Sequence, residues 1–383
     1  MKKSTNRQDK NFIQLLFAGD INVYSMARAI HEMYGIKPYV YGKYPTGYCY
    51  KSKIMHYNSI NDIDQQDRFL ETVLNFADQH KDKTVLLIGC GDSYVQLISA
   101  NKDNFPENIV APYIDVKMMN DLIHKEKFYE LCEKVGVDYP DTFVHRREMG
   151  RNFELPFKGP FIIKPSNGIE YWRHPFPTQK KVFKVDTIEE VYEVLESIYK
   201  AGYSDSIIIQ DYIPGDDTFM RVLTNYSDKN GKVKLMCLGH VLLEEHTPHG
   251  IGNHAVIITE HNRELEEKIK SLLEEIHYIG FSNFDIKYDQ RDGKYKVFEI
   301  NTRQGRSNYY VTATGANLAQ YVVEDWIYDH PIDFRSVDNE YLWMVVPKRV
   351  AFKYIKPLEY KKQMKKLIKE GKWVNPLYYR PDN

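Results

Sequence analysis

FDIKYDQRDGKYKVFEINTRQG (residues 284–305) sits within two strand-like runs, 280–289 and 294–300, separated by Arg-Asp-Gly at 291–293. That tripeptide is a turn signal, so the runs pair as a hairpin. Side chains alternate along a strand, so Glu299 and Asn301 point to one face, and Asp285 on the neighbouring strand is able to share it. Two carboxylates and an amide oxygen converging from adjacent strands make a hard oxygen cage, the kind Mg²⁺ takes while bridging ATP phosphates. The plain alternative is a solvated sheet face, on which acids are common. Against it, Glu299 lies within VFEIN, a run otherwise fit for a core, where an unpartnered charge is costly.

Upstream, GPFIIKPSNG (159–168) runs from a strand into a polar turn, with Lys164 closing the apolar stretch. A lysine there holds phosphate oxygens as a point charge, and the following turn offers backbone N–H donors. Taken alone it is an ordinary strand-end lysine. Lys181, or less readily Lys180, opens the next strand (180–185) and supplies a second cation. SIIIQDYIPGDD (206–217) then passes from strand to linker. The backbone of Gln210, Asp211, Tyr212 and Ile213 suits an adenine edge, and Asp217 a ribose.

The first 115 residues alternate strands (12–19, 85–92, 108–115) with helical stretches, the first capped by Asn22. This pattern predicts a parallel sheet with crossovers. A helical spacing covers 117–135. The middle and later regions read as a second α+β body: a helix over 187–202 with a Thr187/Glu190 capping box, three long strands to about 258, and helices over 262–278 and 316–328. The tail from 331 is expected to pack back on the body.

Composition limits the function. With 383 residues, 43% apolar and 27% charged, the chain is an ordinary globular protein of two or three modules. Lys plus Arg (52) balances Asp plus Glu (53), so no basic field favours nucleic acid or an anionic membrane. The basic opening MKKSTNRQDK precedes a strand-like run rather than a signal-peptide core, and no run is long enough for stable membrane insertion. Cys49, Cys90, Cys132 and Cys237 are far apart and read as reduced thiols of a cytoplasmic chain. GCGD (89–92) lacks the full dinucleotide spacing and reads as a strand-to-helix turn. His240, His246, His249 and His254 cluster within 15 residues, but without a cysteine at ligand spacing zinc is disfavoured. KKQMKKLIKEGK (361–372) reads as a solvated basic helix face.

The order of these parts resembles the ATP-grasp superfamily: strand lysine, second lysine, hinge, then Asp…Glu-x-Asn. The resemblance spans about 12–350 and implies an N-terminal α/β pre-ATP-grasp domain (1–120). It further implies a small ATP-grasp subdomain with linker helices (121–212), a C-terminal subdomain carrying the metal site (213–330) and a C-terminal extension (331–383). Within it, Lys164 and Lys181 look like the phosphate lysines, Gln210 to Ile213 the adenine hinge with Asp217 on ribose, and Asp285, Glu299 and Asn301 the ligands of Mg²⁺. Two ions are implied, with Mn²⁺ a possible substitute. Arg303 falls by the transferring phosphoryl group, and Arg306 or Arg221 by the α-carboxylate of an amino acid. SNGIEYWRHPF (166–176) is the candidate flap.

GDINVYSMAR (19–28), LLIGCGDSY (87–94), IPGDDTFMRVL (213–223), CLGH (237–240), FEINTRQGRS (298–307) and LWMVVPK (342–348) are similar to the D-aspartate ligases of peptidoglycan cross-bridge synthesis. This resemblance implies activation of the β-carboxylate of D-aspartate and transfer to the L-lysine amine of a UDP-linked muramyl-peptide precursor. The partners are then a small amino acid and an amine-bearing peptidoglycan precursor. A ligase for another amino acid or amine, and a non-catalytic nucleotide-binding regulator, are the alternatives.

Overall fold

The computed structural model describes residues 11–382 apart from 248, 249 and 251. The opening MKKSTNRQDK and His249 lie outside the described residues. Five parallel strands come first: β1 (Phe12–Phe17), β2 (Tyr39–Gly42), β3 (His56–Ser59), β4 (Thr84–Gly89) and β5 (Ile109–Val110). Their order is β3-β2-β1-β4-β5, with helices α1 (Ile21–Tyr34), α2 (Gln66–Gln79) and α3 (Asp92–Ala100) between them. The direction of winding reverses between β1 and β4. There the chain leaves the strand ends as Gly19-Asp20 and as Gly91-Asp92.

The expected parallel sheet is present, with local differences. Asp20, not Asn22, caps α1 by accepting the Asn22 N–H, and Asn22 lies buried inside the helix. Strand 108–115 shrinks to two residues, because Pro112 has no N–H to give the ladder. β2 and β3 are short and half-polar, and periodicity misses them.

Two linker helices follow, α4 (Val116–Ile123) and α5 (Lys125–Val135), broken at His124, whose backbone is extended. They lead to a four-stranded antiparallel sheet: β6 (Thr142–His145), β7 (Phe161–Pro165), β8 (Phe183–Val185) and β9 (Ile207–Asp211), ordered β6-β9-β7-β8. Between β7 and β8 lies the short α6 (Gly168–Trp172). α7 (Ile188–Lys200) begins with the expected Thr187/Glu190 capping box and buries Val191, Leu195 and Ile198 against the sheet. β8 starts later than expected, since the Lys180 carbonyl accepts the Tyr171 hydroxyl instead of pairing in a ladder.

The largest sheet is built from β10 (Met220–Ser227), β11 (Val233–Glu244), β12 (His254–Glu260), β13 (Gly280–Asp289), β14 (Lys294–Asn301), β15 (Arg335–Ser336), β16 (Leu342–Met344) and β17 (Trp373–Val374). Its order is β14-β13-β10-β11-β12-β16-β17, with β15 beside β11. Helices α8 (Arg263–Glu275), α9 (Tyr309–Ala313), α10 (Leu318–Trp326), α11 (Lys348–Tyr354) and α12 (Leu358–Lys369) cover it. One continuous core joins the first and third sheets through Val23, Phe128, Phe284 and Leu318.

The tail extends the third sheet at its edge and then crosses to the first. Arg28 of α1 donates to the carbonyls of Asn375 and Pro376 and stacks on Tyr309 and Tyr379. Asp382 accepts from Tyr24 and Ser52. All four cysteines are free and buried. Among the described residues no helix is long and apolar enough to cross a membrane.

Candidate active site

The hairpin β13–β14 sets the site. Register pairs Asp285 with Glu299 and Asn283 with Asn301, so the three oxygen-bearing side chains share a face. Asn301 donates to Asp285 at 3.2 Å. Burial, and then repulsion from Glu299, push the Asp285 carboxyl up. Burial acts the same way on Glu299, yet the ammonium groups of Lys125, Lys181 and Lys164 hold it below the usual carboxylate range. Paired carboxylates of this kind, surrounded by protein, are relieved by a bound cation.

Lysines converge from three elements. Lys125, first residue of α5, approaches Glu299 at 3.6 Å, and Lys181, just before β8, at 3.9 Å. Lys164, at the end of β7, is buried; it donates to the Tyr129 hydroxyl at 2.8 Å and lies over the Phe298 ring. Burial, then Lys125, pushes its ammonium down to about 7. Tyr129 passes the contact on by donating to the Phe298 carbonyl at 2.7 Å. Lys125, Lys164, Lys181, Asp285 and Glu299 line a cavity of 270 Å³ with Trp172 of α6, Met220, Glu244 and His254.

Lys125 and Tyr129 carry no local sequence signal. Lys125 reads as one lysine among several in HKEKFYE, and only the break at His124 turns it inward.

The hinge residues sit beside this cavity. Gln210 is buried in β9, bonded to Thr142. Asp211 is engaged in a two-pronged pair with Arg291 of the β13–β14 turn, tying the hinge to the third sheet. The Tyr212 ring lies under Lys184 and Lys287, and Ile213 is buried. Asp217 accepts from the Glu244 N–H and from His246. Burial and Asp217 push the Glu244 carboxyl up to about 7.

Arg303 and Arg306 leave the end of β14 toward the first sheet. Arg303 pairs with Asp92 at 2.8 Å and Arg306 with Glu245 at 3.0 Å. Arg221 does not join them. It pairs with His240 across β10–β11, whereas its neighbour Val222 pairs with Asp285, so Arg221 projects from the opposite face. There it is held by Glu260 and the carbonyls of Thr218 and Met220. The alternation of a strand excludes it from the substrate role given to it as an alternative to Arg306. The histidines also disperse: His240 shares the Arg221 face, while His246 and His254 line the loop side. Among the described residues no three His, Cys, Asp or Glu side chains meet as a metal site.

Comparison with known proteins agrees with this architecture. The family described as "Carbamoyl-phosphate synthase L chain, ATP binding domain" matches residues 227–324. The biotin carboxylase domain of Hydrogenobacter thermophilus 2-oxoglutarate carboxylase, solved with MgADP, ADP and bicarbonate, superposes with a TM-score of 0.64 at 15% identity, over 87% of this chain and 74% of that one. N5-carboxyaminoimidazole synthetase from Staphylococcus aureus gives 0.61 at 14%, over 87% and 83%. At those identities the likeness is one of fold. A D-aspartate ligase from Enterococcus faecium (strain Aus0004) is 43% identical over 390 aligned residues, covering 98% of this chain and 92% of that protein. With the grasp fold and a relative matched nearly end to end, the chain belongs to the D-aspartate ligase family of ATP-grasp carboxylate–amine ligases, ATP-dependent enzymes that form C–N bonds.

Proposed function

We propose that this ligase acts in the cytoplasm, activates the β-carboxylate of D-aspartate and transfers it to the side-chain amine of L-lysine in a UDP-linked muramyl-peptide precursor. The observation that carries the reading is the convergence of three lysines on Glu299, facing Asp285 and Asn301 and flanked by Arg303, in a chain 43% identical to a D-aspartate ligase. No protein nucleophile is required. A β-carboxylate oxygen attacks the γ-phosphorus of ATP and the β,γ-bridging P–O bond breaks, leaving ADP and an aspartyl phosphate. The neutral amine then attacks the acyl carbon, the C–O bond to phosphate breaks, and the amine loses a proton.

The chain's task is alignment and charge neutralisation. Lys164, Lys125 and Lys181 bind phosphate oxygens, the hinge from Gln210 to Ile213 takes adenine, and Asp217 takes ribose. Asp285, Glu299 and Asn301 offer the oxygen donors that fit Mg²⁺, which neutralises phosphate charge when bound. The donor set is equally open to Mn²⁺. Arg303 faces the transferring phosphoryl group and Arg306 the α-carboxylate. Gly168, Tyr171 and Trp172 line the cavity, and closure of 166–176 over it would keep water from the acyl phosphate.

The test is Mg²⁺-dependent ADP release with hydroxylamine as the trap, run with D-aspartate, L-aspartate and other amino acids. A hydroxamate formed with D-aspartate alone is expected; one formed only with another acid replaces the substrate and the cell-wall role with it.

A further inference from the structure

In open parallel sheets ligands enter the crevice where strand order reverses. Here that crevice, between the ends of β1 and β4, is faced by Arg303 and Arg306, and three charges meet in it. Asp20 follows β1 with an exposed edge, yet it is packed closely enough that burial raises its carboxyl, an effect that Arg306 and, more weakly, Arg303 oppose. Each arginine is already met by a protein carboxylate: Arg303 by Asp92, and Arg306 by Glu245. The Asp92 side chain is 70% exposed on the first turn of α3, whereas Arg303 is only 15% exposed. Arg303 meets Asp92 in a two-pronged pair, Nη2 donating at 2.8 Å and Nε 2.7 Å from the other oxygen, whereas Arg306 Nη1 lies 3.0 Å from Glu245, shielded from water, without a directed hydrogen bond. A buried guanidinium gains most from a carboxylate that meets it in good geometry.

Two cations and one anion are the charge complement of a small aminodicarboxylate. We infer that Asp20, Arg303 and Arg306 form a three-point reader for such an amino acid: its two carboxylates displace Asp92 from Arg303 and Glu245 from Arg306, while Asp20 receives its ammonium group. This rests on the ligase reading above and deepens it. Asp92 and Glu245 are then stand-ins that neutralise the arginines until substrate arrives. A monocarboxylic amino acid leaves one guanidinium on its stand-in. It therefore gains one carboxylate contact fewer, whereas a dicarboxylate without an amine leaves Asp20 unanswered.

The experiment compares D-aspartate, D-asparagine and succinate in the hydroxylamine trap. Asp20→Asn keeps the cap of α1, since asparagine caps as well as aspartate. It is expected to raise the KM for D-aspartate about 30-fold and to shrink the preference over succinate about tenfold, with the KM for ATP within about twofold. Asp92→Asn is expected to lower the KM for D-aspartate several-fold, because nothing then competes for Arg303. An unchanged aspartate-to-succinate preference in Asp20→Asn, or a raised aspartate KM in Asp92→Asn, overturns the inference. If wild-type enzyme traps no acid at all, the ligase reading is what has failed. Thermal shift then decides the inference: a D-aspartate shift lost in Asp20→Asn supports it, and equal shifts in variant and wild type overturn it.

Discussion

Glu299 is a half-buried carboxylate whose charge is sustained by Lys125, Lys181 and Lys164 around it. Replacing it by glutamine removes one negative charge from a cluster that then holds three cations and one carboxylate, Asp285. Turnover in Glu299→Gln is expected to fall by about 10³-fold, as when a positioned charge-stabilising group is lost. Steady-state ADP release checks this, and activity near wild type would remove Glu299 from the metal set. Histidines make a second prediction at this scale. Burial, helped by Arg221, pushes His240 down to about 3, and burial, helped by Arg306, pushes His254 down to about 4. A depressed base stays neutral in the folded chain while the unfolded chain takes up protons below about 6.5, so the stability is present above that pH and is lost as pH falls toward these values. Each histidine contributes a slope of about 1.4 kcal/mol per pH unit across that window. Tm measured from pH 7 to 4.5 should drop steeply in wild type and less so in His240→Gln.

At the scale of elements, much was legible and the reasons for the rest are specific. The hairpin with Asp285, Glu299 and Asn301, the Thr187/Glu190 box of α7 and the strand end at Lys164 were read directly, because alternation, capping and turn chemistry are local. Lys125 was not, because its role depends on a kink at His124 that carries no Pro or Gly. Arg221 was misassigned because a motif gives its neighbourhood but not its parity against Asp285; only the β10–β13 register supplies that. β2 and β3 escaped because strands of four half-polar residues show no period.

Gly280 tests how the β13–β14 hairpin is seated. It opens β13 with φ at +84°, and a Cβ there would lie 2.3 Å from the Pro112 carbonyl oxygen. Pro112 belongs to the segment joining the first sheet to the linker helices, so neither side yields cheaply. Gly280→Ala is expected to destabilise by about 2 kcal/mol or more, read by urea denaturation. A change under about 0.5 kcal/mol would mean the β13 entry is free to move.

For the whole molecule, the three sheets are held by contacts that cross long stretches of sequence. Arg291 on Asp211 ties β9 to the β13–β14 hairpin, Phe128 on Phe284 ties a linker helix to the third sheet, and Arg28 ties α1 to the tail. Arg28 is only 7% exposed. Removing residues 372–383 takes away the carbonyls of Asn375 and Pro376 and the Tyr379 ring, leaving a buried cation with Glu32 as its remaining ion-pair partner. Breaking such a set costs several kcal/mol, so Tm of the shortened chain is expected to fall on the order of 10 °C. An unchanged Tm would show that the tail only rests on the surface.

That same tail closes the third sheet with β17, whose two residues pair with Leu342 and Trp343 while the Trp373 ring is covered by Lys348. A strand this short, with a lysine beside it, offers an incoming chain almost nothing to template on. Stripped of it, β16 would present its unpaired N–H and C=O groups between the apolar side chains of Leu342, Trp343 and Met344. The shortened enzyme should therefore self-associate edge to edge before it loses its fold, and sedimentation at rising concentration would reveal it.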